Sequence, residues 1–216
     1  MLKNESKDHQ RLLEDSARRR LIKLTAGLVV GVAAGIVTSP GRAQSTAGRR
    51  ILIVYYSRTG STRDVASQVH ARVGGDLFEL KTTHSYPAAY RATTEQAKRE
   101  QEEGFRPVLA TRVADMNAYD TVFIGFPNWW GTLPMAFFSF LEQYPLAGKT
   151  VIPFCTHEGS GFGRSLEDIR ARCGNARILD GLALRGGGVE RVANDSVRKE
   201  IAQWLDGLNL ASGRAS

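Results

Sequence analysis

Ser57-Arg58-Thr59-Gly60-Ser61-Thr62 places four hydroxyl side chains and one glycine between an apolar run and a helical pattern. A helix N-terminus offers backbone N–H groups without intrahelical partners and a partial positive charge, a combination that suits a phosphate. The hydroxyls add donors without adding formal charge, and Gly60 admits close backbone approach. An ordinary helix cap would need only one such residue. The nucleotide-binding pattern GxxxxGK[ST] is absent.

Two further segments read as loops between a buried strand and a helix. Gly125-Phe126-Pro127-Asn128-Trp129-Trp130-Gly131-Thr132-Leu133-Pro134 carries adjacent tryptophans, a flat apolar surface with few rotatable bonds on which a planar ring can stack. The competing reading is that one of the two indoles packs into the core. Thr156-His157-Glu158-Gly159-Ser160-Gly161-Phe162-Gly163 supplies glycines and backbone donors. His157 and Glu158 are the ionisable pair there, read either as groups that tune a cofactor or relay a proton, or as a solvated loop pair. No catalytic residue stands out beyond these two. His9, His70 and His84 form no metal-ligand spacing with His157, so no metal is expected.

Tyr55-Tyr56-Ser57-Arg58-Thr59-Gly60-Ser61-Thr62 after an apolar strand resembles the phosphate loop of the flavodoxin family. The resemblance extends over nearly all of the chain after the first forty-odd residues, and it implies one noncovalently bound flavin mononucleotide (FMN) serving electron transfer. It assigns Ser57, Thr59, Gly60, Ser61 and Thr62 to the ribityl phosphate, with Arg58 at a variable position of the same loop. A Pro-x-Trp-Trp-Gly segment in family members lies against the flavin ring, which carries Pro127, Asn128, Trp129, Trp130 and Gly131 over as ring contacts. A Thr-x-x-Gly-Ser-Gly stretch in a related subgroup matches Thr156, Gly159, Ser160 and Gly161. With His157 and Glu158 these border the pyrimidine end of the ring, where amide donors favour a reduced, anionic flavin.

The elements that must position these loops alternate in type. Ile51 to Tyr56 is a continuous apolar run, as in a parallel strand buried on both faces. Val65, Val69 and Val73, spaced by four and stopped by Gly74-Gly75, mark a helix with one buried stripe. Leu77–Leu80 and Thr121–Phe126 predict a second and third strand, with a polar helix from Tyr90 to Glu103 between them. Pro134 opens a helix at a first-turn position. Thr150–Cys155 predicts a fourth strand, made irregular or partly unpaired by Pro153. Leu166, Ile169 and Cys173 mark the next helix. A fifth strand, broken near Gly181, follows from Ile178-Leu179 and Leu182–Leu184. Gly186-Gly187-Gly188 reads as a turn before a last helix capped by Asn194 or Asp195.

The expectation is a three-layer α/β fold: a five-stranded parallel sheet in the order 2-1-3-4-5, helices on both faces, and ligands beyond the carboxyl ends of the strands. A phosphorelay receiver shares that topology. It needs clustered acids after strand one and an acceptor Asp after strand three, where Tyr56-Ser57 and Phe126-Pro127 stand instead.

The formal net charge of the 216 residues is +7, from 29 Lys/Arg and 22 Asp/Glu. Residues 1–43 hold eight of the bases and four of the acids, so the remainder carries only +3 and no basic stripe. Nucleic-acid binding is therefore not expected. Arg18-Arg19-Arg20-Leu21-Ile22-Lys23, an uncharged stretch from Leu24 to Val37, and small residues ending at Ala43 have the three parts of a secretory leader and resemble a twin-arginine export signal. The uncharged stretch is shorter than the roughly 20 residues a membrane-spanning helix needs. Cleavage after Ala43, export to the periplasm, no stable membrane insertion afterwards, and a flavodoxin-like domain over residues 49–210 are the expectations. Cys155 and Cys173, the two cysteines, are read as buried thiols or as a disulfide pair.

The flavin itself would carry the electron chemistry, so cofactor is more legible than reaction. One expectation is an electron carrier between partner proteins, although flavodoxins that dock on basic reductases are acidic and this domain is mildly basic. The second is an FMN-dependent reductase passing electrons from NAD(P)H to a small quinone-like acceptor. A non-catalytic binding module, the third, leaves the hydroxyl-rich loop without a purpose.

Overall fold

The computed structural model describes residues 50–186, 194–208 and 210. The expected twin-arginine leader, the expected cleavage point at Ala43 and Gly187-Gly188 lie outside these residues. Strands β1 (Ile51–Tyr55), β2 (Asp76–Glu79), β3 (Thr121–Pro127), β4 (Thr150–His157), β5 (Arg177–Ile178) and β6 (Leu182–Arg185) alternate with helices α1 (Ser61–Val73), α2 (Tyr90–Glu102), α3 (Met135–Gln143), α4 (Ser165–Arg172) and α5 (Asp195–Gly207). All pairings between these strands are parallel, in the order β2-β1-β3-β4-β5, with β6 also on β4. The predicted order and layering hold.

Period-two alternation divides the core between the two faces of the sheet. Leu52, Val54 and Tyr56 join Phe137, Phe140 and Ile169 in one cluster, under α3 and α4. Ile53 and Tyr55 join Val65, Val69, Ile201 and Leu205 in the other, under α1 and α5. Because β1, β3 and β4 are covered on both faces, they read as unbroken apolar runs.

The fifth strand position is split, and Pro153 explains where. The carbonyl of Val151 accepts from the Leu179 N–H at 2.9 Å, and β6 resumes pairing with β4 only at Phe154. Pro153, two residues beyond Val151, faces the same way and has no N–H to give. The chain breaks pairing across that gap. Gly181 crosses it because a Cβ there would lie 2.6 Å from the Pro153 carbonyl oxygen.

One detail differs from expectation. Pro134 is the residue before α3 rather than within its first turn: its ψ of 146° is extended, while its carbonyl accepts from the Phe137 N–H. Of the two readings of Cys155 and Cys173, the buried thiols hold: both are free and buried, and burial pushes them up to about 12 and about 11. They are packing residues. Asn194 likewise caps α5 as read, its side-chain oxygen accepting from the Ser196 N–H at 2.7 Å. Asn194→Ala is therefore expected to cost about 1 kcal/mol, measured as a lowered urea midpoint. No helix among the described residues is long and apolar enough to cross a membrane.

Candidate functional site

A cavity of about 570 Å³ opens at the carboxyl ends of β1, β3 and β4, bounded by the three loops and by one wall of α2. Arg58, Thr59, Ser61, Thr62, Pro127, Asn128, Trp129, Trp130, Gly131, Thr156, His157, Glu158 and Ser160 line it, from all three sequence-read loops. Ser57, Gly60, Gly159 and Gly161 belong to the same loops but are not among the lining residues. Ser57 Oγ accepts from the Gly60 N–H at 3.2 Å, and the Gly161 carbonyl accepts from Asn128 Nδ2 at 2.7 Å.

The start of α1 has no side-chain cap, and its first intrahelical bond runs from the Asp64 N–H to the Gly60 carbonyl. The N–H groups of Ser61, Thr62 and Arg63 therefore have no acceptor among the described residues. The hydroxyls of Thr59 and Ser61 are likewise without protein partners there. Thr62 Oγ1 is paired with Thr156 Oγ1 at 2.9 Å, which ties the first loop to the end of β4. Arg58, the one cation on this wall among the described residues, gives its guanidinium to the carbonyl of Ala88 at 2.6 Å. Its hydrogen bonds join the loop to the segment before α2, leaving neutral donors facing the cavity.

Trp129 and Trp130 separate in role. Trp129 is half-buried and packs edge-on against Tyr86 and Tyr56, with ring centroids 5.0 and 5.5 Å away. Trp130 is 53% exposed and holds a left-handed backbone at φ 52°. With Gly131 at φ 84°, it forms the centre of a two-residue turn closed by reciprocal bonds between Trp129 and Thr132. A bulky residue in that region costs about 1–2 kcal/mol, so the surroundings must enforce it. Asn128 Oδ1 accepts from the Gly131 N–H at 2.9 Å, the Arg164 N–H donates to the Gly131 carbonyl at 2.8 Å, and Trp130 Nε1 donates to the Thr94 carbonyl at 2.9 Å. Lys98 Nζ stands 5.5 Å from the Trp130 ring centre.

In the third loop His157 Nδ1 accepts from the Gly159 N–H at 2.9 Å, which places the proton of a neutral imidazole on Nε2. Both His157 and Glu158 line the cavity. No group of His, Cys, Asp and Glu among the described residues is arranged to hold a metal.

A family model described as Flavodoxin matches residues 50–207. The chain belongs to the flavodoxin family. A Bacteroides eggerthii protein assigned as a flavoprotein is 32% identical, with a TM-score of 0.60, over 73% of this chain and 96% of that one. A Bacteroides uniformis protein, similarly assigned, is 29% identical with a TM-score of 0.63, over 74% and 99%. A Lactobacillus acidophilus flavoprotein solved in complex with FMN shares the fold at 24% identity and a TM-score of 0.54, over 68% and 99%. No curated protein matches the chain.

The chain also lines its cavity with Tyr90, Thr93, Thr94 and Ala97 of α2 and with Gly186, none of which the sequence reading placed at the site. Thr93 and Ala97 are buried and one turn apart. That spacing of small residues on a charged helix was the available signal. Gly186, whose N–H donates to the His157 carbonyl at 2.7 Å, is placed by β6 pairing rather than by any motif.

Proposed function

We propose that this flavodoxin binds a single FMN noncovalently in the cavity and transfers electrons through it. The observation that carries the reading is the start of α1: amides and hydroxyls left without partners among the described residues, lining the same cavity as an exposed, conformationally strained tryptophan. A phosphate dianion completes the first set and a planar ring covers the second. Ser61, Thr62 and Arg63 amides and the Thr59 and Ser61 hydroxyls would hold the phosphate. Trp130 and the exposed edge of Trp129 would orient the ring, and the third loop would close its polar end through amides of Glu158 and Ser160. Bound flavin supplies the redox chemistry; the chain supplies binding, orientation and exclusion of water. The Lactobacillus acidophilus relative with FMN supports this choice of cofactor.

The leader adds a place of work. Export of the folded domain through a twin-arginine route, with FMN loaded beforehand, puts its redox partner, a protein or a small quinone-like acceptor, in the periplasm. Protein purified from that compartment is expected to be yellow and to release FMN on denaturation. Colourless protein that also fails to quench the fluorescence of added FMN would rule the cofactor out.

A further inference from the structure

Behind Trp129, on the side away from the cavity, lies a buried acid that the cofactor reading does not use. Glu100 sits on α2 and is 8% exposed. Both of its oxygens accept hydrogen bonds: Oε2 from the Tyr86 hydroxyl, and Oε1 from Gln96 Nε2 at 2.8 Å. The Tyr86 ring in turn meets Trp129, centroid to centroid at 5.0 Å with planes 79° apart. Cavity, indole, phenol and carboxylate thus follow one another in contact.

A buried carboxylate is a costly way to hold a tyrosine. Withdrawing the charge from water carries a desolvation penalty, whereas a glutamine would accept from the same hydroxyl without it. What a carboxylate offers and a carboxamide lacks is the ability to take the proton. Tyr56 gives the internal contrast: it also touches Trp129, at 5.5 Å, yet its hydroxyl has no acceptor among the described residues. Burial and the neighbouring Glu100 charge push both phenols well above the ordinary range, so neither ionises unaided at neutral pH.

We infer that Trp129, Tyr86 and Glu100 form a proton-coupled electron relay that discharges an oxidant held in the cavity. The inference rests on the proposed function, since the oxidant is light-excited, oxidised flavin. Trp129 gives that flavin one electron; Tyr86 gives one electron to the oxidised indole. At the same step the Tyr86 O–H bond breaks and its proton forms an O–H bond with Glu100 Oε2. The electron would pass to the bound oxidant, leaving a neutral tyrosyl radical and a protonated Glu100 on the chain, and return of the electron and proton would restore both. A positioned base contributes roughly 100-fold or more to such a proton transfer.

Transient absorption after a flash on FMN-loaded protein tests this. A neutral tyrosyl signal is expected in the parent protein, none in Tyr86→Phe, and one formed about 100-fold more slowly in Glu100→Gln, which keeps the hydrogen bond but removes the base. Glu100→Gln should leave the urea midpoint unchanged or raised, which separates the relay from a merely structural role. A tyrosyl signal that survives Tyr86→Phe, or a rate unchanged in Glu100→Gln, would overturn the relay. FMN titration by absorbance is read separately. If FMN does not bind, the cofactor reading fails by itself, and the same variants of the apoprotein are compared with a ruthenium polypyridyl photo-oxidant, on the same criteria.

Discussion

Thr59→Ala combined with Ser61→Ala is expected to weaken FMN binding roughly 1000-fold and to leave riboflavin binding unchanged. Each hydroxyl would give the phosphate a charge-assisted hydrogen bond, worth about 1.5–3 kcal/mol when the acceptor is ionised. Two of them amount to about 3–6 kcal/mol, and each 1.4 kcal/mol is about tenfold in affinity. The fold should not suffer, because neither hydroxyl has a protein partner among the described residues. Thr62 differs: its hydroxyl is engaged with Thr156, so Thr62→Ala would disturb the loop whether or not a ligand were present. Fluorescence titration of the double variant with both flavins gives the answer. Riboflavin lacks the phosphate, so an equal loss for both ligands would mean that the two hydroxyls act on the ring or on loop shape. Unchanged FMN affinity would place the phosphate elsewhere.

The sheet and the three loops were legible because their signals are local. A strand buried on both faces must be apolar throughout, and a phosphate site at a helix start must carry donors at that start. Even the break in the fifth strand could be read from Pro153 and Gly181, since a missing N–H and a missing Cβ act where they stand. The α2 wall was not legible in the same way. Its mean composition is polar, and the residues it turns inward, Thr93, Ala97 and Glu100, are small or charged. No apolar stripe announces which face is buried, and only the packed position of Trp129 decides it. The two tryptophans illustrate the same limit. Identical neighbours in sequence, they diverge because a turn with two positive φ angles sends one indole toward Tyr56 and Tyr86 and the other onto Thr94. Asn128 reads as a ring contact, yet both ends of its amide are engaged with backbone, so it acts as a clamp between the second and third loops.

That clamp region carries the largest expected effect on stability. Gly163 has φ +55°, and a Cβ on it would lie 2.3 Å from the Gly131 carbonyl oxygen. An alanine there pays about 1–2 kcal/mol for the left-handed backbone. It must also push away backbone that cannot rotate aside, which by analogy with overpacking adds about 1–3 kcal/mol. Gly163→Ala should therefore lose about 3 kcal/mol, seen as a lowered urea midpoint with an unchanged slope. Gly161→Ala is the control. Its φ of +59° is nearly the same, but nothing lies within 4 Å of its added Cβ, so only the backbone share of about 1–2 kcal/mol is expected. The difference between the two variants isolates the close approach of the loops. Because the displaced oxygen belongs to the turn that holds Trp130, Gly163→Ala should also weaken binding of FMN and riboflavin alike, unlike the loss at Thr59 and Ser61. Equal destabilisation by the two alanines would show that the second and third loops do not depend on this contact. The forced conformation of Trp130 would then have to be held by Asn128 and α2.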